Sequence, residues 1–233
     1  MKKFTGLVTL FCVFNAIGQP GVAVTTPDSL VHIYQSGLGM NLPLYNGRQF
    51  YGYSSAIIGN AFYPVNDWTR GSILYDNMWY DNVPIMYDAF KDELVTMHPN
   101  GVPFVLTSER VQEFRMKGLV FVRLLADKNN GINTGFYQRL SAGKVTAFAK
   151  RVRELEEKIN GLEVERKFLI KDLFYVWKDN EFTKIRKSQS LLSVLNDKQG
   201  EVHQYLGQKK IRYKTDRETY IISVTDFYNK LFQ

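Results

Sequence analysis

Short runs of apolar and aromatic residues, separated by pairs of turn-forming residues, recur along most of this chain. Asn-Gly and similar pairs tolerate positive φ at both central positions, which a tight β-hairpin requires. Where such a pair lies between two apolar runs, it predicts a hairpin. The pairs are Asn46–Gly47, Asp76–Asn77, Asn100–Gly101, Asn160–Gly161 and Asp179–Asn180.

Two predicted strands carry features that bear on their place in a sheet. Gly118–Leu125 is nearly all apolar, which is typical of a strand buried on both faces. The strand from Trp79 to Tyr87 contains Pro84, which lacks the N–H that a ladder uses, so we expect this strand at an edge or bulged there. Strict alternation would place Trp79 and Tyr87 on one face and Tyr80 on the other.

Residues 151–160 allow two interpretations. Val152, Leu155 and Ile159 have helical spacing, but the residues after Gly161 alternate between apolar and charged. We favour a long charged hairpin that turns at Asn160–Gly161. A helix that ends at Gly161 is the alternative.

The pattern changes from strand to helix periodicity near residue 189. Apolar residues are spaced as in a helix within Ser190–Leu195 and again within residues 202–206. Thr215 and Glu218 form the Thr-x-x-Glu pattern of a capping box, in which the glutamate reaches back to the first free amide. A third apolar stripe follows, formed by Ile221, Val224, Tyr228 and Leu231.

Together these patterns predict an α+β fold, in which an antiparallel β meander of many hairpins is followed by two or three C-terminal helices. We expect a β-rich region over residues 42–188 and a helical region over 189–233 that packs on the same domain. A chain of 233 residues is long enough to bury a sizeable core.

The N-terminus has the layout of a secretory signal peptide, with two lysines, an apolar run over residues 7–17 and small residues before Gln19. We expect cleavage between Gly18 and Gln19, which removes residues 1–18 and leaves a linker-like segment over 19–41. The mature protein would lie in the periplasm or be secreted. The apolar run is shorter than the roughly 20 residues that span a bilayer, so we expect no transmembrane span after cleavage. An uncleaved anchor is the alternative.

Composition narrows the chemistry further. The one cysteine, Cys12, lies in the predicted signal peptide, so the mature chain would have no thiol for a disulfide, a metal ion or nucleophilic catalysis.

Residues 20–143 carry 9 basic and 10 acidic side chains, whereas residues 144–233 carry 19 basic and 13 acidic side chains. The basic C-terminal part could attract a polyanion or a membrane surface. An envelope location argues against nucleic acid as the partner.

Three carboxylates, Asp88, Asp92 and Glu93, form the densest acidic cluster and are the candidate catalytic residues. Two carboxylates about 5 to 10 Å apart can serve a glycan hydrolase as acid and base. Carboxylate oxygens also suit calcium, although the calcium-loop motif is missing. The favoured alternative is structural: Asp88 caps a turn by accepting from backbone amides, and the other two are solvated.

Four aromatic residues near this cluster, Tyr75, Trp79, Tyr80 and Tyr87, could form a surface for a ligand or a partner. Alternating aromatic residues in strands more often pack in a core, which is the interpretation that we favour. A short basic stretch offers a separate candidate, a contact for a polyanion or for lipid headgroups. Its cations are Lys209, Lys210, Arg212 and Lys214.

The sequence predicts no metal ion and no cofactor. His32, His98 and His203 are far apart, and no second histidine or cysteine stands at ligand spacing from any of them. Nucleotide-binding glycine loops and the Gly-x-Ser-x-Gly motif of many hydrolases are also missing from the sequence.

Five stretches of the chain can be compared together: LYNGRQFYGY, DWTRGSILYDN, NVPIMYDAFKDELV and the terminal SLLSVLNDKQGEVHQYL and YIISVTDFYNKL. They resemble a family of exported bacterial proteins of unknown function. In that family a Gly-Ser-x-x-Tyr-Asp strand leads to a Tyr-Asp-x-x-x-Asp-Glu-Leu turn, then a sheet and terminal helices. The resemblance runs from about Leu44 to the C-terminus and implies an envelope or secreted location, with no assigned activity.

These observations favour a non-enzymatic envelope protein that binds or scaffolds a partner, either an envelope protein or a glycan. Two alternatives stay open. One is a glycan-directed hydrolase that uses Asp88 with Asp92 or Glu93. The other is a binder of polyanions or membrane surfaces through the basic C-terminal part.

Overall fold

The structure, a computed structural model, describes residues 43–126, 131–161 and 163–233. These residues belong to one unit, Met40–Gln233. The predicted signal peptide, its cleavage site and the linker-like segment over 19–41 lie outside the described residues.

The described residues form strands as far as residue 184 and helices after it. The strands are β1 Gly47–Gln49, β2 Phe62–Tyr63, β3 Thr69–Tyr75, β4 Met78–Asp88, β5 Glu93–Met97, β6 Pro103–Leu106, β7 Val111–Met116, β8 Leu119–Leu124, β9 Gly135–Arg139, β10 Thr146–Lys150, β11 Arg153–Asn160, β12 Glu163–Ile170, β13 Leu173–Lys178 and β14 Glu181–Lys184. The helices are α1 Ser188–Val194, α2 Gln199–Lys209 and α3 Arg217–Lys230. The predicted α+β class is confirmed.

Twelve of these strands form one antiparallel sheet in the order β1-β6-β5-β4-β3-β7-β8-β9-β10-β13-β14, with β2 paired to β4. Most neighbours in this order are also neighbours in sequence, as a meander requires. Strands β11 and β12 form a separate two-stranded ribbon. Near the middle of the ribbon, where Lys167 pairs with Glu156, Ile58 forms a parallel bridge to Lys167 and joins the ribbon to the rest of the protein.

Four of the five predicted hairpin turns are present. Asp76–Asn77 joins β3 to β4 and Asp179–Asn180 joins β13 to β14, and all four residues have positive φ between 49° and 65°. Asn100–Gly101 lies between β5 and β6. Asn160–Gly161 ends β11, whose eight residues pair one to one with β12. The hairpin interpretation of residues 151–160 is therefore confirmed, and the alternative helix is wrong.

The fifth predicted turn, at Asn46–Gly47, is wrong. A 3₁₀ turn covers Pro43–Tyr45, and Gly47 instead begins β1, which pairs with β6. A Cβ built on Gly47 would lie 2.0 Å from the carbonyl oxygen of Val105. The glycine therefore serves the close approach of two strands that are distant in sequence.

Strand β4 carries a bulge that strict alternation did not predict. Its pairing with β3 passes from Val83 opposite Gly71 directly to Tyr80 opposite Ile73, so β4 holds one residue more than β3 between these pairs. Asn82, inside this interval, has φ of 56°. An extra residue in one strand reverses the inward and outward order beyond it.

The reversal explains which aromatic residues share a face. Tyr80 is 3% exposed and lies in the same core as Tyr87, while Trp79 is only partly buried. The prediction that Tyr80 and Tyr87 face opposite sides is therefore wrong. Because β4 lies between β3 and β5, the edge position expected for Pro84 is also wrong. A bulge near Pro84 was the other possibility, and the bulge of β4 lies just before this residue.

Strand β8 is less buried than its sequence predicts. Among its residues Phe121 is fully buried, but the others are only partly buried, and Leu125 beyond its end is 66% exposed. The expectation that Gly118–Leu125 is covered on both faces is therefore wrong. An unbroken apolar run does not distinguish a central strand with two covered faces from one that is covered on one face.

The predicted capping box at Thr215 is displaced by one residue. Asp216 is the N-cap of α3, and its carboxylate accepts from the Thr219 amide at 3.0 Å. Glu218 instead binds Arg151 of the sheet region. Three members of the predicted apolar stripe, Ile221, Val224 and Tyr228, are fully buried, whereas the fourth, Leu231, lies just beyond α3 and is 38% exposed.

Two large cores hold the fold together. The first is aromatic and lies among β3 to β9, with Phe114 and Phe121 stacked at 4.6 Å near Tyr87 and Phe136. The second packs the three helices against β10 and β13 around small residues such as Ala147. The helical region thus packs on the sheet.

The large sheet is strongly curved. Lys150 at the end of β10 contacts Asp92, which follows β4, although β3, β7, β8 and β9 lie between these strands in the sheet. Beside this contact the Arg153 amide donates to the carbonyl oxygen of Ala89 at 3.0 Å. The turn between β4 and β5 is therefore the place where the curved sheet meets itself.

Candidate functional site

The three candidate carboxylates all lie at the turn between β4 and β5, which we call the acidic corner and define by Asp88, Asp92 and Glu93. Asp88 is the last residue of β4 and pairs across the hairpin with Glu93, the first residue of β5. Asp92 lies in the turn, with φ of 59°. The sequence cluster therefore is a spatial cluster, and the contacts of each acid decide what it can do.

Asp88 is fully buried and serves the turn. One carboxylate oxygen accepts from the amides of Phe90 at 2.9 Å and Lys91 at 3.0 Å. The other accepts from the Tyr53 hydroxyl. Burial raises the pKa of Asp88, whereas these hydrogen bonds stabilise the ionised form and oppose the rise.

Asp92 lies at the junction of the curved sheet. It forms an ion pair with Lys150 and accepts from the Tyr87 hydroxyl at 2.6 Å and from the Phe136 amide at 3.2 Å. The Asp92 side chain is 25% exposed and that of Lys150 is 13% exposed. The expectation that Asp92 is a solvated turn residue therefore does not describe its surroundings.

Lys150 and Gly135 complete this junction. The Lys150 ammonium also donates to the carbonyl oxygen of Phe136 at 3.1 Å. Burial lowers the pKa of Lys150, and the negative charge of Asp92 opposes that change. Gly135 has φ of 154°, and a Cβ there would lie 2.0 Å from Asp92 and 2.3 Å from the Lys150 nitrogen. A glycine is therefore required for the ion pair to form.

Glu93 lines an open groove and not a deep cleft. Arg48 donates to it at 2.6 Å, and the side chains are 54% exposed for Arg48 and 22% for Glu93. A groove of about 370 Å³ beside this pair is also lined by Glu109 and by the backbone of β1 and β6. Asp88 and Asp92 do not line it.

The acidic corner is therefore arranged for structure more than for reaction. A general acid needs both a raised pKa and contact with a substrate. Asp88 has the raised pKa, but it is 0% exposed. Asp92 and Glu93 are partly accessible, but each is paired with a cation.

The aromatic candidates mostly lie in the core. Tyr75 and Tyr87 are fully buried and Tyr80 is 3% exposed, so these three do not present a surface to a ligand. Trp79 is partly buried, and the Arg115 guanidinium lies 4.5 Å from its ring centroid. The packing interpretation therefore describes the three tyrosines, and Trp79 alone reaches the surface.

The basic candidates are all exposed. Lys209 ends α2, Lys210 follows in the left-handed conformation with φ of 54°, and Arg212 and Lys214 lie in the connection to α3. Within the described part of the chain, none of the four forms an ion pair. Ile211 and Tyr213, between them, point towards the helical core.

A buried ionic network that sequence reasoning missed joins the sheet to α3. Arg151 is 3% exposed and donates to Glu218 at 2.7 Å, to Asp172 at 2.9 Å and to the Gln138 side chain at 2.8 Å. Its guanidinium also lies 4.4 Å from the Tyr63 ring centroid. The partners are 13 to 67 positions away in sequence, so no local pattern marks them.

No group of three or more His, Asp or Glu side chains among the described residues is placed to hold a metal ion. None of the helices of the described segments is long and apolar enough to cross a membrane.

Comparison with known proteins gave no relative. No protein-family model, no curated protein and no solved structure matches this chain. The geometry of the described residues is therefore the ground on which function is inferred.

Proposed function

We propose that this chain is an exported envelope protein that binds or scaffolds a partner, either another envelope protein or a glycan, and that it carries out no reaction of its own. One observation carries the proposal. The three carboxylates that offered the best catalytic chemistry are bound by Tyr53, Lys150 and Arg48 in contacts that stabilise the fold. A protein whose best acids serve its own architecture is better suited to binding than to hydrolysis.

The location rests on the N-terminal sequence. The two lysines, the apolar run and the small residues before Gln19 have the layout of a cleavable signal peptide. The resemblance to exported bacterial proteins supports the same compartment. An exported chain whose one cysteine is removed with the signal must rely on packing and ion pairs, and the buried networks at Asp92 and Arg151 are of this kind.

The location is tested by producing the full chain in a Gram-negative host and fractionating the cells. We expect the protein in the periplasm or the medium, with Gln19 as the first residue by N-terminal sequencing. A chain that keeps Met1 and stays in the cytoplasm would overturn the proposed location.

The absence of a reaction is tested with the purified protein and chromogenic glycosides, esters and peptides. We expect no turnover above the buffer rate. The hydrolase alternative makes the opposite prediction: steady turnover of a glycoside that is lost in Asp88→Asn and kept in an Arg166→Gln control. That result would overturn the proposal.

A second candidate function is favoured by the exposed basic stretch. Lys209, Lys210, Arg212 and Lys214 are exposed and form no ion pair within the described residues, so their charge is free to meet a polyanion. The neighbouring acids are engaged elsewhere, since Asp216 caps α3 and Glu218 binds Arg151.

Heparin chromatography separates this candidate from a general effect of net charge. If the stretch binds polyanions, changing Lys209, Lys210 and Arg212 to Gln removes three of its charge contacts with heparin. Salt screens such exposed contacts, so the variant should elute at a lower salt concentration than the unaltered protein. The matched control changes Lys158, Arg166 and Lys167 of the ribbon, which removes the same charge from exposed positions. Equal shifts in both variants would exclude a specific site.

A further inference from the structure

An uncharged groove lies at one end of the large sheet, beside the edge strand β1 and the tip of the β5–β6 hairpin. We call it the edge groove. Its volume is about 200 Å³, and it is lined by three rings, two side-chain amides, Val102 and Gly47 of β1. The rings belong to Tyr45, His98 and Phe104, and the amides to Gln49 and Asn100.

The three rings meet edge to face. The centroids of Tyr45 and His98 are 5.2 Å apart with planes inclined at 67°, and Phe104 lies 6.0 Å from Tyr45 and 6.1 Å from His98. Phe104 is 6% exposed and forms the base, whereas Tyr45 and His98 are only partly buried. None of the three pairs is stacked, so no ring face in this trio is covered by a parallel ring.

The polar groups of the groove are directional and neutral. The backbone amide of Asn100 donates to Nδ1 of His98 at 3.3 Å, which requires a lone pair there and places the proton of the neutral ring on Nε2. None of the described residues bonds to that Nε2. The exposed side chains of Gln49 and Asn100 each offer N–H donors. Their carbonyl oxygens already accept from the Tyr51 hydroxyl at 3.2 Å and the Val102 backbone amide at 3.0 Å, which leaves one lone pair on each oxygen.

We propose that the edge groove binds a neutral saccharide and holds one sugar ring. A sugar ring has an apolar C–H face that packs on aromatic rings and a rim of hydroxyl groups that both donate and accept hydrogen bonds. The groove offers both features in a volume that suits one ring. This inference rests on the proposed binding function and names the chemical class of one ligand.

The lining argues against other ligand classes. No cation lines the edge groove, so an acidic sugar or a phosphate would lose its hydration without gaining an ion pair. An extended peptide could add to the free edge of β1, but this strand has three residues and offers few ladder hydrogen bonds.

Saturation-transfer NMR with the purified protein tests the proposal, with maltose, cellobiose, lactose and diacetylchitobiose as probes. We expect transfer to at least one of them, weakened about fivefold or more in Tyr45→Ala, because one aromatic contact is lost. Gln49→Leu should also weaken binding, and because Gln49 is exposed this change does not threaten folding. His98→Phe keeps an aromatic ring and removes the Nε2–H donor. Weaker sugar binding in this variant would therefore show that the hydrogen bond contributes in addition to aromatic packing.

Phe232→Ala is the matched control, since it removes a ring that is 41% exposed at the C-terminus. It should bind as the unaltered protein does. No transfer to any of the four sugars, or equal transfer in Gln49→Leu, would overturn the proposal. Chemical shift changes at Gln49 and Asn100 with an extended peptide instead of a sugar would also overturn it. If none of the sugars binds but the protein is exported and turns over no substrate, the saccharide proposal fails and the proposed function still holds.

Discussion

The acidic corner and the β11–β12 ribbon are both rich in charge, but they use it in opposite ways. At the corner, Asp92 and Lys150 are 58 positions apart in sequence, and their side chains are 25% and 13% exposed. In the ribbon, Glu157 and Arg166 face each other on neighbouring strands 9 positions apart, with side chains 45% and 51% exposed. The first pair joins distant parts of the curved sheet, and the second lies along a single hairpin.

The comparison teaches that the burial of an ion pair, more than its nitrogen–oxygen distance or its charge, determines how much the pair contributes to the free energy of unfolding. The nitrogen–oxygen distance in the ribbon pair is 2.7 Å, which is as good as in many buried pairs. Water around the ribbon nevertheless solvates both groups when the pair breaks. At the corner, breaking the pair leaves a charge that water reaches only partly. Substitutions in the two regions should therefore differ several-fold in their effect on stability.

The largest effect is expected for Asp92→Ala. This change leaves the Lys150 ammonium without its counter-ion, leaves the Tyr87 hydroxyl without its acceptor and places alanine at φ of 59°. We expect the free energy of unfolding to fall by about 4 kcal/mol, measured by urea denaturation. Asp92→Asn is the control, because asparagine tolerates this φ and can still accept from Tyr87, so it should cost less. Both variants remove the charge, so equal losses would assign the whole effect to the ion pair, and an unchanged stability in Asp92→Asn would show that the charge has no part in it.

The next largest effect is expected for Arg151→Met. Methionine keeps much of the apolar stem but removes the contacts to Glu218, Asp172 and Gln138. We expect a loss of about 2 to 3 kcal/mol, smaller than at the corner because the Glu218 side chain is 32% exposed and can be hydrated.

Hydrogen exchange of the α3 amides provides a second measurement for Arg151→Met. If the network holds α3 against the sheet, exchange there should accelerate more than in the aromatic core around Phe114. Uniform acceleration across both regions would contradict a specific docking role for Arg151.

The comparison also shows which features could be read from the sequence. Turns with local causes were predicted well: Asp76–Asn77, Asn100–Gly101, Asn160–Gly161 and Asp179–Asn180 each join adjacent strands. Asn46–Gly47 has the same composition, yet β1 pairs with β6, which is nearly sixty residues later. A two-residue pattern carries information about its neighbours and none about a distant partner strand.

The position of the candidate site and the turn-capping role of Asp88 were predicted, but the side-chain partners of the three acids were not. The grouping of Asp88, Asp92 and Glu93 follows from their closeness in sequence, and the turn cap at Asp88 follows from ordinary aspartate chemistry. The partners are distant in sequence: the curvature of the sheet brings in Lys150, whereas Arg48 lies on β1, two strands from β5, and Tyr53 follows β1. The single-residue bulge in β4 likewise escaped detection, because strict alternation has no means to register an inserted residue.

The pH dependence of stability should report on Asp88. Burial raises its pKa above the ordinary value of 3.8, so the folded protein holds the proton more tightly than the unfolded chain. Ionisation of Asp88 therefore lowers stability as the pH rises from 3.8 through the raised pKa, and the effect is complete above it. Asp88→Asn cannot ionise and should not show this decrease.

The measurement is the difference in unfolding free energy between the Asp88→Asn variant and the unaltered protein, followed from about pH 4 to about pH 7. Titrations that both proteins share cancel in this difference. We expect the difference to shift in favour of Asn as the pH rises. A shift in the opposite direction would mean that the hydrogen bonds from Tyr53, Phe90 and Lys91 outweigh burial.

The smallest effect is expected in the ribbon, and it is the sharpest test of the comparison. Glu157→Gln and Arg166→Gln each break an ion pair whose side chains are about half exposed, so each should change the unfolding free energy by less than about 0.5 kcal/mol. The change should vanish in high salt, because screening already weakens exposed pairs. A loss of about 2 kcal/mol in either variant would mean that the ribbon is covered in solution, which would point to a partner or a second copy of the chain on its surface.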